Sequence, residues 1–154
     1  MDTPTFTPSV HYRDPKAAIA WLAEAFGFEP TMAIEGPADA PEMCHYEMSC
    51  GGRGRIMVGA EWSDRVRSPA SVGGANTQTL HVKLLEALDE HCARARAAGG
   101  VIVAEPSDEF FGDRTYRVLD PEGHMWTFAM TVRQVSRAEA EKALGQPIMA
   151  TDWP

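Results

Sequence analysis

Among the side chains able to do chemistry, His45 and Glu47 have the most telling spacing. They stand two apart in Cys44-His45-Tyr46-Glu47-Met48, a stretch that alternates as a strand, so they share one face while Cys44, Tyr46 and Met48 take the other. An imidazole beside a carboxylate can bind a cationic or hydroxylated ligand, or move a proton as an acid–base pair. On a solvated strand the same spacing is ordinary alternation, and both readings stand at this point. His81, between Leu80 and Val82, offers a similar choice: an imidazole turned to a ligand, or a polar residue on a wet sheet face. Phe110 and Phe111 precede Gly112 in a loop, where a core role is hard to place, and either can close a cleft or plug a contact between chains. Cys92 lies on the apolar side of a helix and reads as core. The sequence contains no phosphate-cradling glycine loop and no nucleophile elbow, and no cofactor is expected.

These residues need a frame, and the periodicities supply one. Residues 8–13 alternate as a strand. Asp14-Pro15 then caps a helix carrying Ile19, Leu22, Ala23 and Phe26 on one stripe, which Gly27 ends. Strands are predicted over 28–34, 43–50 and 55–60, the last two joined by Gly51-Gly52-Arg53-Gly54. Residues 62–76 lack periodicity. The order then repeats: a strand over 79–84, a helix over 86–98 with Leu88, Cys92 and Ala95 on one side, and strands over 101–104, 114–119 and 125–130, the last pair joined across Asp120-Pro121-Glu122-Gly123. The helix-ending glycines Gly27 and Gly99 are 72 residues apart. The chain therefore reads as one α+β domain of two tandem βαβββ modules, about 7–61 and 77–131. They are joined by a linker over 62–76 and followed by a helical tail over 132–154. Ser136 and Glu139 form a capping pair at the start of that tail. Two such modules side by side make a curved, half-open barrel around a cleft.

At 154 residues the chain is the size of a single domain, and its net charge of −8 disfavours nucleic acid and anionic membranes as partners. No apolar run approaches the roughly 20 residues needed to span a bilayer, and the N-terminus lacks the basic start and apolar core of a signal peptide. Cys44, Cys50 and Cys92 are odd in number with no CxxC pair, which fits a reducing, cytoplasmic compartment.

Two stretches, Tyr12-Arg13-Asp14-Pro15 with the helix to Phe26-Gly27-Phe28, and Asp120-Pro121-Glu122-Gly123-His124-Met125-Trp126-Thr127, resemble the glyoxalase/bleomycin-resistance/dihydroxybiphenyl dioxygenase (vicinal oxygen chelate) superfamily. His45-Tyr46-Glu47-Met48, Phe110-Phe111-Gly112-Asp113-Arg114 and Val132-Arg133-Gln134-Val135-Ser136 resemble its PhnB-like branch. The resemblance implies the paired-module fold and, in metal-dependent members, a divalent ion held from the first and last strands of each module. Carried onto this sequence, those positions fall on Thr7, on Met57 or Val58, on Thr79 or Leu80 with His81 one residue away, and on Thr127. This set is too poor in His and carboxylate for such an ion. A metal held off that pattern would fall to His45, Glu47 and His81. The resemblance thus implies a small-molecule-binding protein without the metal, its cleft lined by His45, Glu47, Met57, His81, Phe111 and Thr127. The alternative is a metal-dependent lyase, isomerase or dioxygenase with a displaced site. A homodimer is expected, because open sheet edges and an apolar tail (Leu144, Ile148, Met149, Trp153) both call for cover.

Overall fold

A computed structural model describes residues 4–153. Module one runs β1 (Ser9–Tyr12), α1 (Pro15–Phe26), β2 (Glu29–Ile34), β3 (His45–Cys50) and β4 (Gly54–Ala60). Module two runs β5 (Leu80–Lys83), α2 (Leu88–Ala97), β6 (Val101–Asp108), β7 (Asp113–Leu119) and β8 (Met125–Thr131), and α3 (Arg137–Leu144) follows. Each module forms a four-stranded mixed sheet, in the order β1-β4-β3-β2 and β5-β8-β7-β6. In each, the first strand lies parallel to the last and the other pairs are antiparallel. The α+β architecture of two βαβββ modules is what the periodicities predict.

Local chemistry accounts for the helix ends. The Asp14 side chain accepts from the Ala17 N–H at 3.0 Å and Pro15 takes the first turn, while Gly27 closes α1 at φ 70°, a left-handed conformation that glycine adopts without strain. The fully buried stripe of α1 is Ala18, Leu22, Ala25 and Phe26, rotated from the predicted one, with Ile19 and Ala23 at its margin. Helix α2 begins at Leu88 rather than Glu86, because Ala87 sits at φ 58°, off the right-handed helical path. Residues 41–43 form a 3₁₀ turn, so β3 starts two residues later than the alternation suggests. Strand β6 runs on to Asp108; Pro106 is tolerated there because β6 is an outer strand whose register already shifts.

One core serves both modules. Phe26 of α1 meets Trp126 and Phe128 of β8 edge-on, with ring centroids 5.4 and 4.7 Å apart, and Phe28 meets Trp126 at 5.6 Å. The helices also complete each other's ends. Arg94 of α2 donates from Nε and Nη2 to the carbonyls of Glu24 and Ala23, among the last of α1. Trp21 of α1 donates from Nε1 to the carbonyl of Ala98 just beyond α2, at 2.7 Å. The tail folds back on α3: Trp153 Nε1 donates to the Val135 carbonyl at 2.8 Å, and the Ile148 N–H to Glu141 Oε1 at 2.9 Å. Met149, by contrast, stays 97% exposed.

Candidate functional site

The face of each sheet turned away from the shared core carries the polar side chains. On β1-β4-β3-β2 a row runs Ser9, Met57, Glu47, Met32; on β5-β8-β7-β6 the corresponding row is His81, Thr127, Arg117, Ala104. Glu47 and Met57 are therefore neighbours on one sheet, and His81 and Thr127 on the other. Along β3, His45 Nε2 and Glu47 Oε1 lie 3.1 Å apart, and Arg55 Nη1 of β4 reaches Glu47 Oε2 at 3.5 Å. Phe111 sits apart from all of these, edge-on to Phe110 at the β6–β7 turn and about a third exposed.

The strand positions that the resemblance gives to metal ligands do not fit a divalent ion. They offer threonine hydroxyls, the Met57 thioether and Leu80, which is buried in the core. Among the described residues no group of three or more His, Cys, Asp or Glu comes together. His45 and Glu47 stand on one sheet and His81 on the other, so the off-pattern set is not assembled either.

Between the modules runs a groove of about 470 Å³. On one side it is bounded by β5, the outer strand of its sheet, and on the other by the β3–β4 turn and the segment before β1. Phe6, Pro8, Ile56, Leu80 and Trp126 give it an apolar lining, Arg53, Arg55 and Lys83 bring positive charge, and His81 adds an imidazole. His81 is the one sequence-predicted ligand residue that lines it. Lys83 Nζ binds Asp113 Oδ2 at 2.6 Å. Burial works to raise the Asp113 carboxyl, but the bonds from Lys83 and Thr131 outweigh it and hold the group below its usual range. Sequence reasoning placed Arg53 in a hairpin turn and missed its place on this groove. A turn four residues long carries no local sign of what packs opposite.

A second unforeseen arrangement is at β1. His11 Nδ1 lies 3.0 Å from the Ala60 carbonyl, which fixes the proton on Nδ1, so Nε2 accepts from the Ser9 hydroxyl at 2.9 Å. Burial lowers the His11 pKa, the Ala60 bond opposes that, and nearby His124 lowers it further. Gly59, opposite on β4, leaves the room: a Cβ there would stand 3.2 Å from His11 Nδ1. The alternation of Ser9 and His11 on one face was the available signal.

No helix of the described residues is long and apolar enough to cross a membrane, and the three cysteines are unpaired. The family model of the Glyoxalase/Bleomycin resistance protein/Dioxygenase superfamily matches residues 8–128. The uncharacterized protein Mb0911c of Mycobacterium bovis is 27% identical over 144 residues, 92% of this chain and 92% of its own. TioX from Micromonospora sp. ML1 superposes with a TM-score of 0.61 at 30% identity, covering 86% of this chain and all of that one. TnmS3, an antibiotic binding protein from Streptomyces sp. CB03234, superposes with a TM-score of 0.65 at 19% identity over 85% of this chain and 98% of its own, a likeness of fold.

Proposed function

We propose, for a chain that belongs to the Glyoxalase/Bleomycin resistance protein/Dioxygenase superfamily, that it binds a small organic molecule between its modules and does so without the superfamily's metal. The observation that carries this reading is the groove of about 470 Å³, within the roughly 300–1,000 Å³ typical of small-molecule sites and, like them, apolar with a few polar groups. It is kept where the metal-ligand positions carry the wrong donors. TnmS3, of the same fold, is an antibiotic binding protein, and sequestration of an antibiotic or other natural product is the role proposed here. Within the superfamily we place the chain beside the PhnB-like branch, on the stretches around His45, Phe111 and Arg133.

A second copy completes the site in this proposal. All six residues of β2 are exposed, including Met32 at 45% and Ile34 at 53%, and β6 exposes Val101 and Val103. An outer strand of that kind calls for a partner. A two-fold dimer would close the open sheet faces that carry His45, Glu47, Met57 and Thr127, with Phe111 at the rim. Three unpaired thiols support a reducing compartment.

A thermal-shift screen of natural products against the purified chain, with bound metals measured in parallel, tests the binding reading. Stabilisation by at least one compound in metal-free protein is expected. No stabilisation across the screen, or a stoichiometric metal that binding requires, overturns it. Sedimentation equilibrium at tens of micromolar tests the dimer, which a single species of 16.8 kDa would sink.

A further inference from the structure

The groove between the modules is charged against the rest of the molecule. The chain has 22 Asp and Glu against 14 Lys and Arg, yet among the described residues the groove is lined by Arg53, Arg55, Lys83 and the His81 imidazole and by no acidic residue. Two of these cations are already engaged, Arg55 with Glu47 at 3.5 Å and Lys83 with Asp113 at 2.6 Å, and both carboxylates stand outside the lining. The Arg53 guanidinium and the His81 imidazole make no hydrogen bond or ion pair among the described residues. They approach the groove from opposite sides, Arg53 from the β3–β4 turn and His81 from β5.

The apolar part of the groove is as one-sided. Phe6 lies on its wall with 84% of its surface exposed, a large ring that a free chain gains nothing by holding in water. The same groove is lined by Ile56, Leu80 and Trp126, all buried. A flat ring set between Phe6 and these side chains would remove apolar area from water on both faces, while a planar guanidinium at the lip is the group best shaped to take a carboxylate, sulfonate or phosphate in a two-bond fork.

We propose that the ligand class of this site is an organic anion with a flat apolar body, its acid group held by Arg53 and His81 and its ring against Phe6. This rests on the binding reading above and narrows it. The test uses two fluorescent probes that share a ring system and differ in charge: anilinonaphthalene sulfonate and the neutral phenylnaphthylamine, each titrated into the full chain. The sulfonate is expected to saturate at one per chain. Arg53→Ala and His81→Ala should each weaken it about ten-fold, as should Phe6→Ala, while Leu85→Ala, at a side chain 94% exposed and outside the groove lining, should leave it unchanged. The neutral probe should respond to Phe6→Ala alone. If both probes bind alike and neither feels Arg53→Ala or His81→Ala, the groove is a binding site and the anion assignment is overturned. If neither probe binds, or if only Leu85→Ala weakens the sulfonate, the binding reading falls with it.

Discussion

The third and fourth strands of each module are joined by a tight turn, and the two turns do opposite things. In module two the turn Asp120-Pro121-Glu122-Gly123 is fastened from every side. Asp120 is 4% exposed. Its Oδ2 accepts from the Tyr12 hydroxyl at 2.7 Å and from Trp126 Nε1 at 3.1 Å, and its Oδ1 from the N–H groups of Glu122 and His124. Burial and this carboxylate together push the Tyr12 phenol well above its usual range. Glu122 accepts from the N–H groups of Arg13 and Asp14, just ahead of α1, and His124 Nε2 donates to the His11 carbonyl at 2.7 Å. In module one, the tip of the turn Gly51-Gly52-Arg53-Gly54 stands in open space: a Cβ built on Gly51 or Gly52 would meet no atom within 4 Å. Two modules of one plan thus use the equivalent turn differently, one docking the modules to each other and the other free to edge a groove. What separates them is side-chain chemistry. An Asp that can accept four bonds ties a turn down, whereas a turn of glycines offers one long cation and nothing to hold.

That contrast can be broken at its strongest point. Asp120→Ala leaves two buried side-chain donors and two turn N–H groups without an acceptor, and should lower stability by on the order of 3–5 kcal/mol in urea denaturation; a loss below about 1 kcal/mol would refute the docking role. Glu122→Ala removes the acceptor for the Arg13 and Asp14 N–H groups and a loose ion pair with the Arg13 side chain at 3.7 Å, and about 1–2 kcal/mol is expected from the same measurement.

Acid probes the docking at the helices. His91 of α2 donates from Nε2 to the Phe26 carbonyl at 3.2 Å and accepts the Tyr116 hydroxyl at Nδ1, at 2.6 Å. Burial lowers its pKa below 6.5, the Phe26 bond opposes that, and the charge of Arg94 adds to the lowering. A histidine held neutral in the folded chain takes up its proton more readily when unfolded. Its contribution to stability is therefore present above the ordinary imidazole range and is lost as the pH falls below 6.5 through the lowered value. His11 has the same sign. Thermal midpoints between pH 7.5 and 5.5 should fall with acid, and His91→Gln should flatten the decline; an unchanged slope would remove His91 from the account. The smallest effect belongs to the free turn. Arg53→Ala should move stability by less than about 0.5 kcal/mol, and a larger loss in urea would mean that this turn, too, is docked.

Much of the fold could be read from the chain because local rules set it. Alternation places Leu80 inward and His81 outward, and Asp14 and Gly27 bracket α1 by chemistry that acts within a few residues. Asp120 shows where such reading stops. Its neighbours announce a turn, and nothing nearby tells that Tyr12, 108 residues earlier, will place its hydroxyl there. Arg53 is the same case on the site side, since its place on a groove depends on β5, which lies 27 residues further on. Ala87 left no trace at all: alanine is a strong helix former, yet it takes a left-handed backbone just ahead of α2. Of the predicted ligand residues, only His81 reaches the groove, because alternation reports the face of a sheet and not the gap between two sheets.

The exchange between the helix ends bears on how the molecule comes apart. Each module leaves carbonyls at the end of its helix that the other module's side chain satisfies, Arg94 for α1 and Trp21 for α2. Half a molecule therefore lacks a partner for backbone groups as well as for its half of the aromatic core. Melting of one half removes what holds the other, so the two modules should share a single all-or-none transition despite their repeated plan. A chain cut between Ala60 and Leu80 would yield two fragments that order only when mixed.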